Sequence, residues 1–128
     1  MNKILIVDDE PHNRILLEEV LEEFEEKGIQ LLFAANGTEA LDLIKTEKPE
    51  LVFLDAMLPE MDGFHICEKV KSDPGFENIF IAILTAKSQD ADKKRAVEAK
   101  ADMYITKPFK IKVIIEMVNK VFNNFTDL

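Results

Sequence analysis

The sequence predicts an α/β protein in which helices cover both faces of a parallel β-sheet. Apolar segments of strand length alternate with segments of helical period along the chain, a pattern typical of repeated strand–helix units. The apolar segments are continuous runs of Ile, Leu, Val and Phe, as expected of parallel strands that are buried on both faces. The length of 128 residues fits one domain, residues 1–128, with a core large enough to fold.

Strands and helices are predicted to alternate five times along the chain. The strands are expected near residues 3–7, 29–34, 50–54, 79–84 and 103–106. The helices are expected near residues 13–26, 38–46, 63–71, 90–100 and 110–124.

Three of the helices are predicted from apolar stripes with i, i+3, i+4 spacing, which marks a buried helix face. The stripe on the first helix consists of Leu17, Val20, Leu21 and Phe24. The stripe on the second helix consists of Ala40, Leu41 and Ile44. The stripe on the fifth helix consists of Ile111, Ile114, Ile115, Val118, Val121, Phe122 and Phe125.

The fourth helix lacks such a stripe. Between residues 90 and 100 its only large apolar residue is Val97, so little burial is expected to anchor it. Ser88 and Gln89 are predicted to help cap its first turn. We therefore expect this helix to be weakly held and suited to moving.

Composition narrows the classes of function. The formal net charge of −9 argues against direct binding to nucleic acid, whose phosphates attract clusters of Lys and Arg. No apolar stretch approaches the roughly 20 residues needed to cross a bilayer, and the first strand begins without a signal peptide. Cys67 is the single cysteine, so an intrachain disulfide is excluded. These features predict a cytoplasmic protein with no membrane insertion.

Residues that can handle phosphate or metal follow four of the predicted strands. They are Asp8 and Asp9 after the first strand, Asp55 after the third, Thr85 after the fourth and Lys107 after the fifth. The carboxyl ends of parallel strands meet at one edge of the sheet, which is where open α/β sheets build their sites. We therefore expect these side chains to share one crevice.

The three carboxylates require a compensating cation, because burial and mutual repulsion would otherwise raise at least one of their pKa values. Mg²⁺ fits best, since it is commonly held by one or two carboxylates together with water and phosphate oxygens. Lys107 would offer a fixed positive charge to a phosphoryl group, and Thr85 a hydroxyl donor. A phosphate must then either visit the pocket with the metal or be attached to a carboxylate, for which Asp55 is the most central candidate.

Four sequence motifs resemble those of the response-regulator receiver domains, including the chemotaxis response regulator and single-domain phosphorelay carriers. They are residues 6–10 (IVDDE), 54–63 (LDAMLPEMDG), 84–86 (LTA) and 104–109 (YITKPF). The motifs span nearly the whole chain in the order of that family. The resemblance implies a flavodoxin-like three-layer αβα sandwich with a five-stranded parallel sheet in the order 2-1-3-4-5.

The resemblance also implies a phosphoacceptor site in a two-component or phosphorelay system. Asp55 would receive a phosphoryl group from a histidine of a kinase or of a phosphotransfer protein. Asp9, Asp55 and the backbone carbonyl of Met57 would bind Mg²⁺, with Mn²⁺ as a substitute, while Asp8 would hold the ion through water. Lys107 would pair with the phosphoryl oxygens.

A conformational switch follows from the same resemblance. Thr85 would move toward the phosphate and Tyr104 would swing inward behind it, while the Lys107–Pro108 peptide bond would be cis. The output would be a changed surface of the fourth helix, fifth strand and fifth helix, read by an unknown downstream protein. The chain would thus be a signalling module that assists its own phosphorylation and dephosphorylation, not an enzyme with turnover.

Three apolar residues are predicted to lie off the core stripes, where they are either incidentally exposed or dock partners. Ile15 lies beside the stripe of the first helix, one turn from the acidic pocket, where similar phosphorelay proteins meet the helical bundle that carries the phosphohistidine. Val113 and Met117 are predicted on the outer side of the fifth helix. An apolar docking spot there would replace the charged pairs through which some receiver domains dimerise.

Two other classes of protein share parts of this pattern. Aspartyl-phosphate hydrolases also place carboxylates and Mg²⁺ at strand ends, but they need an Asp-x-Asp pattern on the strand of the nucleophile and usually a cap domain. Flavin-binding proteins of the same topology need a Ser-, Thr- and Gly-rich loop after the first strand, where residues 8–10 are acidic. Turnover of a phosphomonoester would favour the hydrolase, and a single stoichiometric phosphorylation would favour the receiver domain.

Overall fold

Five strands and five helices alternate as the sequence predicts. The computed structural model describes residues 2–86 and 90–122. The strands are β1 (Lys3–Val7), β2 (Gln30–Ala34), β3 (Leu51–Asp55), β4 (Phe80–Thr85) and β5 (Met103–Thr106). The helices are α1 (Pro11–Glu26), α2 (Gly37–Glu47), α3 (Gly63–Ser72), α4 (Asp90–Glu98) and α5 (Ile111–Val121).

The strands form one parallel sheet in the order β2-β1-β3-β4-β5, which confirms the predicted topology. Strand β3 lies at the centre of the sheet. Its last residue, Asp55, pairs with Leu84 of β4. Thr85 at the end of β4 pairs with Thr106 at the end of β5. The carboxyl ends of the strands therefore lie side by side along one edge.

Two hydrophobic cores lie on opposite faces of the sheet and make the fold a three-layer sandwich. Helices α2, α3 and α4 cover one face, where their buried residues include Ala40, Ile44, Phe64, Ile66, Cys67, Val70 and Ala96. Helices α1 and α5 cover the other face, where their buried residues include Leu17, Leu21, Phe24, Ile114, Met117 and Val118. Alternate residues of each strand point into the two cores, which explains the continuous apolar runs.

Helix α5 is rotated about its axis relative to the prediction. Met117 is buried at 6% exposure, whereas it was predicted on the outer side of the helix. Val113, also predicted outside, packs half-buried against the same core, and Ile111, predicted inside, is 59% exposed. The predicted outer apolar spot formed by Val113 and Met117 is therefore wrong. The predicted end of this helix near residue 124, and Phe125 of its stripe, lie outside the described residues.

Helix α4 is held by small side chains. Ala96 and Ala99 are buried against the sheet, whereas Val97 is 75% exposed. The expectation of thin apolar anchoring is thus confirmed, but Val97 contributes none of the burial. The predicted capping residues Ser88 and Gln89 lie outside the described residues.

A buried lysine ties together the end of the sheet that is remote from the carboxyl edge. The Lys71 Nζ donates to the backbone carbonyls of Glu77 and Ile79 and pairs with the Asp102 carboxylate at 2.6 Å. The same carboxylate accepts from the Ile81 backbone N–H at 2.9 Å. Helix α3, the start of β4 and the turn before β5 are joined by this one cation.

Within the described ranges, every helix is too short or too polar to span a lipid bilayer.

Candidate functional site

Three carboxylates meet where β1 and β3 end. Oxygen atoms of Asp8, Asp9 and Asp55 all lie within 4.8 Å of one another. Asp8 and Asp55 are buried, at 3% and 7% exposure, whereas Asp9 is exposed. The sequence prediction that these three residues share one crevice is confirmed, and the cluster could hold a metal ion.

Lys107 partly neutralises this cluster. Its Nζ lies 3.2 Å from Asp8 Oδ2 and 3.4 Å from Asp55 Oδ1. The position of Lys107 follows from the sheet, because its backbone N–H donates to the Thr85 carbonyl at 2.7 Å just beyond β5. The Lys107–Pro108 bond is cis, as the family resemblance implied. Among the described residues, Lys107 is the one cation paired with the three carboxylates, which leaves excess negative charge.

Burial raises the pKa of Asp55 above its ordinary value. The Met57 backbone N–H, which donates to Asp55 Oδ1 at 3.2 Å, and the nearby Lys107 lower the pKa, while Asp8 raises it. Desolvation outweighs these partners, so the Asp55 carboxylate is incompletely compensated. A cationic or electrophilic ligand would relieve that cost.

The connection between β3 and α3 is packed against the end of β3. The Gly63 backbone N–H donates to the Ala56 carbonyl at 3.0 Å. A Cβ atom at position 63 would overlap the Asp55 carbonyl oxygen and lie 3.0 Å from Ala56 Cα. Only glycine permits this close approach, which fixes the backbone that carries Asp55.

Thr85 and Tyr104 lie together at the neighbouring strand ends. Thr85 is 2% exposed, Tyr104 is half-buried, and a side-chain hydrogen bond joins the two residues. Burial and the negative charge of Asp92 raise the pKa of Tyr104, and the hydrogen bond with Thr85 lowers it in part. The two predicted switch residues are therefore in contact.

An apolar groove of about 820 Å³ runs from the acidic site along helix α1. Leu16 and Val20 of α1 form one wall, Phe109 and Ile111 form the other, and Lys107 lies at one end. Ile15 is 52% exposed on the same helix, as predicted, but does not line the groove. The exposed Ile111 thus belongs to this surface and not to the core.

Sequence reasoning assigned no role to three residues that organise the site. The Arg14 guanidinium donates to the Asp8 carbonyl, although the spacing between these residues gives no recognisable signal. Gly63 is required by its contact with Asp55, and Asp62 caps helix α3 by accepting from the His65 N–H at 2.8 Å. The Asp-Gly pair before a helical segment was the available signal for both.

The fold and the site define an α/β domain with a metal-competent acidic pocket at the carboxyl edge of its sheet. Comparison with protein families matches the response regulator receiver domain over residues 4–119. The chain belongs to this family and is a receiver domain of two-component signalling. Receiver domains generally bind Mg²⁺ and interact with histidine kinases or phosphotransfer proteins.

Relatives of known sequence and structure agree with this assignment. The chain is 42% identical to sporulation initiation phosphotransferase F of Bacillus subtilis (strain 168) over 92% of its own length and 91% of the relative. It is 43% identical, over 84% of its length, to the alkaline phosphatase synthesis transcriptional regulatory protein PhoP of the same organism. The signal receiver domain of a DNA-binding response regulator from Colwellia psychrerythraea 34H superposes with a TM-score of 0.89 at 30% identity, covering 96% of this chain and 99% of that one.

The relatives differ in length. The chain spans 42% of PhoP and about half of the probable transcriptional regulators ycf27 that it also matches. The receiver domain is therefore the part that these longer proteins share with it.

Proposed function

We propose that the chain accepts a phosphoryl group on Asp55 from the phosphohistidine of a kinase or phosphotransfer protein, in the presence of Mg²⁺. The proposal rests mainly on one observation, the buried Asp55 carboxylate at the centre of the edge. Lys107 lies 3.4 Å from this carboxylate, and the oxygens of Asp8 and Asp9 lie within 4.8 Å of it. Carboxylates together with one lysine suit the transfer of a phosphoryl group better than the binding of a free anion.

The donor set fits a hard divalent cation. Asp9 and Asp55 would bind Mg²⁺ directly with the backbone carbonyl of Met57, and Asp8 would hold it through water; Mn²⁺ prefers similar ligands. When bound, the ion would offset the negative charge of the carboxylates and of the phosphoryl oxygens. The excess charge of the cluster and the raised pKa of Asp55 support this assignment.

In the transfer step, a carboxylate oxygen of Asp55 forms a bond to phosphorus while the bond from phosphorus to the histidine nitrogen breaks. The electron pair of the broken bond returns to the imidazole, and the product is an acyl phosphate. Lys107 would stabilise the charge on the transferring oxygens, and the rigid β3–α3 connection would hold Asp55 in line. The protein contributes position and charge, which makes it a signalling module that assists its own phosphorylation and dephosphorylation.

The switch would begin at the phosphorylated end of the sheet. We infer that Thr85 donates its hydroxyl to the phosphoryl group and that Tyr104, its present neighbour, adjusts with it. The surface formed by α4, β5 and α5 would then favour a different arrangement, which a downstream protein reads.

Mass spectrometry after treatment with acetyl phosphate and Mg²⁺ tests the acceptor. One phosphoryl group is expected on the wild type and none on Asp55→Asn, because the amide is a poor nucleophile. Asp42→Asn, which makes the same chemical change at an exposed position of α2, is expected to be phosphorylated normally. Continuous release of phosphate from simple phosphomonoesters, or phosphorylation of Asp55→Asn, would count against the proposal.

We propose that the phosphohistidine-bearing partner docks on helix α1, at Ile15 and the adjacent groove. Ile15 is 52% exposed and the groove wall is apolar, so a helical bundle could bury both surfaces.

Ile15→Ala is expected to slow transfer from the cognate phosphohistidine roughly tenfold, a typical loss for a central apolar contact. Phosphorylation by acetyl phosphate should be unchanged. Val97→Ala, on the remote helix α4, is the control, and equal effects of the two variants would refute docking at α1.

A further inference from the structure

The side chain of Arg95 joins helix α4 to the first turn of helix α3. Its Nη2 lies 2.7 Å from Asp62 Oδ2, and its guanidinium carbon lies 4.4 Å from the centroid of the Phe64 ring. The second oxygen of Asp62 accepts from the His65 N–H at 2.8 Å and so caps α3. One oxygen of Asp62 thus contacts α3 and the other contacts α4, and Arg95 combines its ion pair with Asp62 with stacking on the Phe64 ring.

This contact matters because the described side chains of α4, those of residues 92–98, provide little apolar anchoring. Ala96 is the buried one among them, Ala99 is buried in the turn that follows the helix, and Val97 is 75% exposed. A half-exposed ion pair shifts an equilibrium only a few-fold, and a cation–π contact adds a similar factor. Together the two contacts shift the equilibrium between the docked and displaced positions of α4 by roughly tenfold. Such a factor is large for a helix with thin apolar burial and negligible for a well-packed one.

The other end of the contact is fixed to the acceptor strand. Asp62 precedes Gly63, whose N–H donates to the Ala56 carbonyl and whose Cα lies against the Asp55 carbonyl. Because that junction has no spare space, a displacement of the end of β3 moves the cap of α3 with it. Arg95 would then carry the displacement to α4.

We propose that Arg95 is a positioning residue that couples helix α4 to the acceptor end of β3 through Asp62. The coupling rests on the proposed function, since the event that displaces β3 is phosphorylation of Asp55. The ion pair acts alongside the contact between Thr85 and Tyr104, which reaches the same region from β4. Both contacts bias the position of one weakly anchored helix.

Hydrogen exchange of the unphosphorylated protein tests the contact of Arg95 with Asp62 and Phe64 (the clasp). Arg95→Ala, which removes both the ion pair and the contact with Phe64, is expected to speed exchange of the α4 amides about tenfold relative to the amides of β1. Asp62→Asn keeps a capping oxygen and removes only the ion pair, so an acceleration of about threefold is expected. The double variant should exchange no faster than Arg95→Ala, because the ion pair is already lost in that variant. Additive effects in the double variant would refute the clasp.

Two further variants separate the clasp from general charge effects. Lys94→Ala removes a charge from the same exposed helix at a position outside the Asp62 contact, and is expected to leave exchange unchanged. Arg95→Lys keeps the charge but loses the planar guanidinium over Phe64, so an intermediate rate is expected. Acceleration by Lys94→Ala equal to that by Arg95→Ala would overturn the proposal.

Coupling is tested by repeating the exchange measurement with acetyl phosphate and Mg²⁺, with mass spectrometry of the same samples. Phosphorylation is expected to change the exchange of α4 in the wild type, and this change should shrink at least twofold in Arg95→Ala at equal phosphorylation. An undiminished response would refute coupling through Arg95. If no phosphoryl group is found, the proposed function is refuted, and so is the coupling of α4 to phosphorylation. The measurements on the unphosphorylated protein would still decide whether the clasp exists.

Discussion

Asp55 shows how single contacts set the chemistry of one side chain. Burial raises the pKa of Asp55, and the Met57 N–H and Lys107 offset only part of this increase. The Asp55 carboxylate is therefore held in position, but its negative charge is only partly compensated. Under the proposed function, conversion to an acyl phosphate with a bound cation would replace that unfavourable state with a compensated one.

Cys67 provides a test of burial at the residue scale. Its side chain is fully buried and its Sγ donates to the Ala99 carbonyl at 3.3 Å. Burial raises the pKa of this thiol from 9.0 to about 12, so almost none of it is thiolate at pH 8. We expect iodoacetamide to alkylate Cys67 very slowly in the native protein and rapidly in urea, as measured by mass spectrometry.

The same thiol has a pH dependence of known sign. Because the pKa is raised in the folded state, the contribution of the thiol to stability is complete below about pH 9 and is lost as the pH rises toward 12. The advantage of the wild type over Cys67→Ala in urea unfolding should therefore shrink across that range. Fast native alkylation at pH 8 would show that the site is open to solvent.

At the scale of elements, sequence periodicity predicts most of the architecture but not the rotation of α5. Apolar residues occupy most positions of this helix, so two adjacent faces satisfy the same i, i+3, i+4 spacing. The structure buries Met117 and exposes Ile111, because the first turn faces the groove beside α1 and not the sheet. Tertiary contacts determine which face of α5 is buried, and the local sequence pattern does not indicate it.

The acidic pocket was more predictable than the contacts that support it. Strand ends are easily read from apolar runs, and a parallel sheet brings them together whatever the loops do. The clasp between Arg95 and Asp62 joins residues 33 positions apart on different helices. Such a contact depends on the relative placement of α3 and α4, which spacing alone does not give.

The β3–α3 junction offers a prediction for the connection between two elements. Gly63→Ala is expected to destabilise the protein by about 1–3 kcal/mol, as overpacking usually does, because its Cβ would overlap the Asp55 carbonyl. It should also slow phosphorylation by acetyl phosphate, since the acceptor is displaced. Urea unfolding and mass spectrometry measure the two effects.

Gly28→Ala is the matched control for this junction. Gly28 has a φ of +103° but open space around its Cα, so the variant carries only a backbone cost of about 1 kcal/mol. Its phosphorylation rate should match that of the wild type. Normal phosphorylation of Gly63→Ala would mean that the junction yields without moving Asp55.

The charge of the whole molecule is unevenly distributed. Residues 93–120 carry eight of the 16 basic residues but only three of the 25 acidic ones. The acidic excess therefore lies in the remainder of the chain, which includes the three pocket carboxylates and the glutamates of α1. At the pocket itself, the three carboxylates are only partly offset by Lys107 and would attract cations.

Global stability should consequently respond to Mg²⁺. At a concentration of 100 times its dissociation constant, an ion that binds only the folded state adds about 2.7 kcal/mol to the free energy of unfolding. We expect Mg²⁺ to raise the thermal midpoint of the wild type and to do so much less in Asp9→Asn, whose altered side chain is exposed and outside the core. NaCl at equal ionic strength is the control, and equal effects of the two salts would argue against a specific site.

The ion pair between Lys71 and Asp102 also bears on how α4 can move. It fixes the turn that follows α4, and the burial of Ala99 secures the carboxyl end of the helix. A nine-residue helix is roughly 13 Å long, so a tilt of about 10° around that end would carry the opposite tip by about 2 Å. We therefore expect α4 to pivot about its carboxyl end, so that its amino end, which follows β4 in the chain, moves the most.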